Sequence, residues 1–236
     1  MSSEGKGAAH VSTRLPRSAS FSRMPRTLIS QQVSDHLESL VPPRDKELAR
    51  MERIARRTDF PIIGPAVGQL CYLLARMIGA RRVFELGSGF GYSTAWFARA
   101  VKENGGGEVH HVVWDEELSQ RARKHLAVLR LDDVVRYTVG EAVQALRGVD
   151  GPFDIIFNDI DKRGYPDSLP VIESRLRSGG LLITDNLLWN GRIFDRKDRS
   201  ADTQGVRKLT RLVFNSSVWT ASIVPIRDGV LVARKN

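Results

Sequence analysis

A chain of 236 residues with 42% hydrophobic side chains can bury one substantial core, which favours one domain with a terminal extension over two full domains. No apolar run approaches the roughly 20 residues of a membrane-spanning helix, and no signal segment opens the chain, so we predict a soluble, cytoplasmic protein without a membrane partner. Cys71 is the only cysteine, which excludes an internal disulfide, and its apolar neighbours indicate a buried residue rather than a catalytic thiol.

The formal net charge of +9 favours anionic partners without choosing among nucleic acid, an acidic substrate and a membrane surface. Part of the excess positive charge lies in residues 1–27, where Glu4 is the only acidic residue and Ser, Gly and Ala are frequent. The cationic residues of this stretch are Lys6, Arg14, Arg17, Arg23 and Arg26. We interpret residues 1–27 as a disordered, solvated tail, with a transit peptide as the alternative, and residues 28–236 as the single domain.

The domain begins with helices. Apolar residues recur at helical spacing from Leu28 to Arg57 with a break at Pro42-Pro43, which predicts two helices, and a third is predicted over 67–78. Short apolar strands then alternate with helical segments. The predicted strands cover 82–86, 109–114, 134–139, 153–158, 181–184, 218–224 and 230–233. The predicted helices between them lie near 93–103, 116–129, 141–147, 166–176 and 203–214.

This alternation is typical of an α/β protein with a mostly parallel sheet and helices on both faces. The last two strands are separated only by residues 225–228, so they should pair as an antiparallel hairpin. We therefore predict a seven-stranded sheet that is parallel except at its C-terminal hairpin.

A glycine-rich turn follows the first strand, at the edge of the sheet where α/β proteins bind ligands. Its glycines are Gly87, Gly89 and Gly91, and Tyr92 stands where a dinucleotide-binding fingerprint has its last glycine. A nicotinamide cofactor is therefore disfavoured. The helix that begins here would present free N–H groups to an anion.

The Glu-Leu-Gly-x-x-x-Gly-Tyr-Ser sequence that starts at Glu85 resembles the first motif of S-adenosylmethionine methyltransferases, in particular the catechol and caffeoyl-CoA O-methyltransferase family. The resemblance implies a Rossmann-like methyltransferase fold with S-adenosylmethionine as cofactor. It implies that Glu85 and Gly87 shape the cofactor pocket and that Ser93 binds the methionine carboxylate. The segment from Ile63 to Gln69 also resembles the family, which implies that Ile63 lies over the cofactor.

The end of the second strand departs from the family pattern. Methyltransferases of this kind carry an acid there for the ribose hydroxyls, and this chain has Val113. Asp115 is therefore either a ribose ligand or a helix cap. Trp114 is predicted to stack on adenine, with a half-buried strand end as the alternative.

Polar residues follow the fourth and fifth strands, and parallel neighbouring strands would bring Asp159 close to Asp185 and Asn186. Two carboxylates and an amide are hard oxygen donors, which suit Mg²⁺ or another divalent cation better than zinc. His110 and His111 offer no competing site because neighbours in a strand point to opposite faces. Turn or helix caps are the alternative for each acid taken alone.

Two runs here resemble the same family: Asp-x-x-Lys from Asp159 to Lys162, and Asp-Asn-x-x-Trp-x-Gly from Asp185. The resemblance implies that Asp159, Asp185 and Asn186 bind the metal, that Asp159 also contacts the cofactor, and that Lys162 is the general base. It places Trp189 and Asn190 near the methyl acceptor and implies a homodimer. The basic loop 192–200 is the predicted specificity element.

Three functions remain open. The leading one is methylation of a hydroxyl on a small acceptor, a catechol-like vicinal dihydroxy aromatic. The second is O-methylation of a hydroxylated nucleoside in tRNA, which the positive charge permits although no RNA-binding module is apparent. The third is a cofactor-binding protein without turnover, motivated by Val113.

Overall fold

The computed structural model of the protein describes residues 28–236, so the predicted tail over 1–27 lies outside the described residues. None of the helices in the described range combines the length and the apolar character that crossing a bilayer requires. The main elements are α1 (Gln31–Ser39), α2 (Lys46–Thr58), α3 (Gly64–Met77), β1 (Arg82–Leu86), α4 (Tyr92–Glu103), β2 (Glu108–Val113), α5 (Glu116–Val128), β3 (Val135–Val139), α6 (Ala142–Arg147), β4 (Phe153–Asn158), α7 (Tyr165–Arg175), β5 (Leu176–Thr184), α8 (Ala201–Phe214), β6 (Trp219–Val224) and β7 (Val230–Lys235).

The strands form one seven-stranded sheet in the order β3-β2-β1-β4-β5-β7-β6. Strands β1 to β5 run parallel, and β7 runs antiparallel to both β5 and β6. The predicted α/β architecture with an antiparallel C-terminal hairpin is confirmed. Because β7 rather than β6 lies next to β5, the loop between β6 and β7 returns to the edge at which β5 ends.

Most element boundaries differ from the prediction by no more than three residues, and the start of β5 differs by more. Strand β5 begins at Leu176 instead of Leu181, because the polar stretch 177–180 interrupts the apolar pattern while the backbone stays in the sheet. The pairing with β4 shifts there, from Phe153 opposite Leu176 to Ile155 opposite Leu181. Helix α3 begins at Gly64, three residues before the predicted start, with Pro65 in its first turn. Proline is accepted at that position because its missing N–H would have no helical partner.

Helices cover both faces of the sheet and enclose two apolar clusters. One contains Trp96, Phe97 and Phe157, and the other contains Phe84 and Phe153. The two histidines of β2 confirm the alternation of side chains along a strand. His110 stacks on Phe84 with ring centroids 5.4 Å apart, whereas the Nδ1 atom of His111 lies 3.0 Å from Thr94 Oγ1.

Helix α2 is anchored to the sheet domain through two buried carboxylates. Glu52 accepts a hydrogen bond from the Tyr92 hydroxyl at 3.0 Å and from Arg44 Nε at 2.8 Å. Glu47 Oε1 lies 2.6 Å from Nδ1 of His125 on α5. Tyr92 therefore holds α2 against the start of α4, which explains a large side chain directly after the glycine-rich turn.

Candidate active site

The carboxyl ends of β1, β2, β4 and β5 open onto one cavity of about 680 Å³, which is called the main cavity below. Its volume lies in the range of small-molecule binding sites. The predicted site residues on its wall are Gly87, Trp114, Asp159, Lys162, Asp185, Asn186 and Asn190. A smaller cavity of about 190 Å³ adjoins it, since Gly87 and Asp159 line both. Ile63 and Ser93 line this minor cavity. The structure thus gathers most of the predicted residues at one edge of the sheet.

The glycine-rich turn passes directly over the backbone after β4. Gly87 has φ +89°, and a Cβ atom there would lie 2.6 Å from the carbonyl oxygen of Asp159, so only glycine permits the approach. The turn is also tied to β2, because Ser88 Oγ accepts a hydrogen bond from Val112 N at 2.9 Å. At Gly91 a Cβ would lie 2.9 Å from Ala122 Cβ on α5. The turn is therefore packed against β2, against the chain that leaves β4 and against α5.

Glu85, at the end of β1, is fully buried beneath this turn. Burial raises the pKa of its carboxyl to about 7, and the hydroxyls of Ser93, Thr94 and Ser88 offset part of that rise. Among residues 28–236, neither carboxylate oxygen has a hydrogen-bond partner of regular geometry, so the hydroxyls are close but misaligned. A buried carboxylate without hydrogen-bond partners is stabilised when a cationic group or an N–H donor lies close to it. Glu85 itself lines neither cavity.

Glu85→Gln is expected to stabilise the cofactor-free protein at pH 8 and not at low pH. A carboxyl whose folded pKa is about 7 instead of 4.5 contributes its full stability below pH 4.5 and loses it as the pH rises to 7. The expected gain at pH 8 is about 3 kcal/mol in the free energy of unfolding. Urea denaturation at several pH values measures it, with exposed Glu117→Gln as control. A gain that does not change with pH would contradict the buried, ionised carboxylate.

The second strand ends at the main cavity as predicted. Val113 is 6% exposed and lines the cavity, so an apolar side chain does occupy the place of the expected ribose acid. Trp114 is 71% exposed beside it. Asp115 Oδ1 accepts from the backbone N–H groups of Glu117 and Leu118 at 2.7 and 3.1 Å, which confirms the capping alternative. Asp115 does not line either cavity, and its contact with ribose stays a prediction.

Asp159, Asp185 and Lys162 lie on the wall of the main cavity. Lys162 Nζ donates to Asp159 Oδ1 at 2.8 Å and to the carbonyl of Ile160 at 3.3 Å. Burial, together with the charge of Asp159, raises the pKa of Asp185 to about 7. Burial also raises the pKa of Asp159, against the opposing effect of Lys162. Asp185 Oδ1 is buried without a hydrogen-bond partner among the described residues.

These groups fit a divalent cation. Asp185, whose pKa is raised by burial and by the charge of Asp159, gains from added positive charge, and the oxygens of both carboxylates are ligands of the hard type that Mg²⁺ prefers. Within residues 28–236, no three His, Cys, Asp or Glu side chains are arranged as a metal site. A site at Asp159 and Asp185 therefore depends on the amide oxygen of Asn186 as its third protein ligand. The register of β4 and β5, with Asn158 opposite Thr184, brings the three residues together.

The loop between β6 and β7 supplies two cavity residues that the sequence analysis missed, Arg227 and Asp228. Asp228 accepts hydrogen bonds from Asn186 Nδ2 at 3.3 Å and from the backbone N–H of Asn190 at 2.6 Å. Arg227 donates to the carbonyl of Ile62 at 2.6 Å. An Asp-Gly pair between two strands signals a turn, but only the position of β7 beside β5 reveals where that turn lies.

Helix α1 also contributes polar groups to the main cavity, through Gln31, Ser34 and Glu38. The sequence pattern predicted no site residue on this helix. Amphipathic spacing predicted that the helix exists, but spacing carries no information on where it packs. Its residues line a part of the main cavity that lies away from the sheet.

Trp189 lies behind the cavity wall rather than on it. The Nζ atom of Lys162 lies 5.8 Å from the centroid of its ring, and the guanidinium carbon of Arg192 lies 5.6 Å from it. The basic residues of loop 192–200 do not line the cavity, and Arg192 forms an ion pair with Asp198 at 2.7 Å. Arg207 on α8 holds this loop by donating to four of its backbone carbonyl groups.

The sheet order, the glycine turn after β1 and the ligand cavity beyond the strand ends define the class of Rossmann-like methyltransferases. The chain matches the family model described as O-methyltransferase over residues 43–236. It therefore belongs to the O-methyltransferase family and is an S-adenosylmethionine-dependent O-methyltransferase.

Individual relatives agree with this assignment. A catechol O-methyltransferase of Niastella koreensis is 28% identical over 216 residues, which cover 87% of this chain and 97% of the relative. The solved structure of the O-methyltransferase TomG from Streptomyces achromogenes, in complex with S-adenosylmethionine, is 28% identical with a TM-score of 0.79 and covers 87% of this chain and 96% of its own. The O-methyltransferase of Bacillus cereus, in complex with S-adenosylhomocysteine, is 26% identical with a TM-score of 0.79 and covers 87% and 97%.

Proposed function

We propose that this enzyme methylates a hydroxyl group of a small vicinal dihydroxy aromatic acceptor and that it requires a divalent cation, Mg²⁺, held by Asp159, Asp185 and Asn186. The observation that carries the proposal is a buried carboxylate, Asp185, and a partly exposed one, Asp159, beside the amide of Asn186 on the wall of the main cavity, with Asp185 Oδ1 left without a hydrogen-bond partner among the described residues. Catechol as the model acceptor comes from the Niastella koreensis relative, which bears that name.

The two cavities suggest how S-adenosylmethionine is oriented. Ser93 lies in the first turn of α4 and lines the minor cavity together with Ile63, so the methionine carboxylate is assigned to this end. Trp114 is assigned to adenine at the opposite end, where its exposed indole offers a stacking surface. The sulfonium would then lie near Gly87 and Asp159, which both cavities share.

The chemistry assigned to the protein's own residues is the removal of one proton and the alignment of two reactants. Lys162, in its uncharged amine form, takes the proton of the acceptor hydroxyl and becomes an ammonium, and the oxygen attacks the sulfonium methyl in line, giving a methyl ether and S-adenosylhomocysteine. A bound divalent cation supplies positive charge that favours the ionised form of the hydroxyl. Asn190 on the cavity wall and Trp189 behind Lys162 are assigned to the acceptor side.

The test is a methyl-transfer assay with catechol, caffeoyl-CoA and bulk tRNA, each with Mg²⁺ and with a chelator. We expect transfer to a catechol-type acceptor that falls by more than about 100-fold in the chelator, since a bound cation is worth several kcal/mol to a developing oxyanion. An equal rate in the chelator would refute the metal requirement. Transfer to tRNA alone would replace the small acceptor by a nucleoside, as the net charge of +9 allows.

A further inference from the structure

Strained backbone is concentrated around the acidic end of the main cavity. Six non-glycine residues between 28 and 236 have positive φ angles, and four of them border this region. These four are Asn186 (φ 62°), Trp189 (φ 46°), Asn190 (φ 50°) and Arg227 (φ 51°). Side chains disfavour the left-handed region, so such a group persists only where surrounding contacts hold it.

Asp228 is the side chain that links these segments. Its Oδ2 accepts from Asn186 Nδ2 and its Oδ1 accepts from the backbone N–H of Asn190. The backbone supports the same contact, because Leu188 N donates to the carbonyl of Asp228 at 2.8 Å and Leu187 N donates to that of Gly229 at 2.9 Å.

The close approach depends on the residue after Asp228. A Cβ atom on Gly229 would lie 2.5 Å from Leu188 Cγ, so glycine lets the β6–β7 loop sit against the chain that leaves β5. The β6–β7 loop therefore packs closely against the chain near Asn186, and both backbone hydrogen bonds and the Asp228 carboxylate hold it there.

The contact has a chemical consequence for Asn186. A primary amide has a donor end and an acceptor end, and a cation binds only the oxygen. Because Asp228 can only accept when ionised, it engages the NH₂ group and leaves Asn186 Oδ1 as the atom available to a cation. We propose that Asp228 is a positioning residue that sets the amide orientation of Asn186 and thereby completes the cation site; this inference rests on the proposed function.

The test is Asp228→Asn in the full-length protein, with Mn²⁺ binding measured by calorimetry in the presence of S-adenosylhomocysteine. The introduced amide can accept from Asn190 N only through its oxygen, so its NH₂ group faces Asn186, whose own amide must turn to accept. Asn186 then presents NH₂ to the cation. We expect Mn²⁺ affinity to fall about 10- to 100-fold. Affinity for S-adenosylhomocysteine should change less than about twofold, since the hydrogen bonds of Asp228 are to Asn186 and Asn190, on the side of the cavity assigned to the cation and the acceptor.

A second variant separates orientation from a general structural role. In Asp228→Asn combined with Asn186→Asp, the introduced carboxylate accepts from the introduced amide with one oxygen and offers the other to the cation. We expect this pair to recover Mn²⁺ affinity to within about tenfold of the wild type. Asp167→Asn, at an exposed position on α7, is the matched control and should leave it unchanged.

Asp159→Ala in the same binding assay distinguishes this inference from the proposed function. Unchanged Mn²⁺ affinity in Asp159→Ala would refute the cation site itself. Lost affinity in Asp159→Ala with wild-type affinity in Asp228→Asn would leave the site standing and overturn the role of Asp228. Failure of the double variant to recover affinity while it still binds S-adenosylhomocysteine would also overturn that role.

Discussion

Asp159→Ala is expected to lower kcat for methyl transfer by about 10³-fold, which corresponds to about 4 kcal/mol of lost transition-state stabilisation. The substitution removes one of the two carboxylates proposed to bind the cation. It also removes the hydrogen-bond acceptor that holds Lys162 Nζ at 2.8 Å. Both the charge that favours an ionised acceptor and the position of the proposed base depend on this side chain.

Cofactor binding should largely survive in Asp159→Ala, for a geometric reason. The glycine-rich turn contacts the backbone of Asp159 and not its carboxylate, since Gly87 approaches the carbonyl oxygen. The backbone N–H of Asp159 is also held, by the carbonyl of Leu86 at 2.9 Å. Alanine preserves both contacts.

The measurement is kcat at saturating S-adenosylmethionine together with the Kd of S-adenosylhomocysteine. Asp167→Ala, on the exposed side of α7, is the control and should retain wild-type kcat. A variant that keeps kcat but needs more cofactor to reach it would assign Asp159 to the cofactor instead of the cation.

The meeting of Asp159 with Asp185 and Asn186 could be predicted because it follows from strand direction. Strands β4 and β5 are short apolar runs, parallel strands end at the same edge, and the observed register places the two ends side by side. The bounds of β1 and β4 could be predicted because apolar residues make up most of each strand and turn residues flank it. The start of β5 could not, because Gly179 and its polar neighbours bulge within the sheet.

Asp228 and Arg227 were missed because their place depends on strand order, which local pattern does not encode. A hairpin was predicted, yet either of its strands could have bordered β5. Since β7 does, with Leu231 opposite Thr184, the loop before it lies beside the residues that follow β5. The same limit applies to α1, whose polar side chains reach the main cavity only through tertiary packing.

Lys162→Ala is expected to lower kcat by about 10²- to 10⁴-fold with little change in folding, which is the usual contribution of a general base. Contacts at both its side chain and its backbone fix the position of Lys162. Its Nζ atom lies 2.8 Å from Asp159 Oδ1 and 5.4 Å from the centroid of the Tyr165 ring. Its backbone is fixed by α8, where a Cβ on Gly205 would lie 2.1 Å from the Lys162 carbonyl oxygen.

Lys162→Arg decides whether the residue acts as a base or only as a positive charge. An ammonium group can accept a proton only after it has lost one, and a guanidinium in a protein does not lose one. If Lys162 is the base, the arginine variant should be nearly as slow as the alanine variant, because the charge survives and the proton acceptor does not. Steady-state kcat of the two variants gives the answer, with Lys208→Arg on the exposed side of α8 as control. An arginine variant within about tenfold of the wild type, a difference of about 1.4 kcal/mol, would show that Lys162 contributes charge alone and that another group removes the proton.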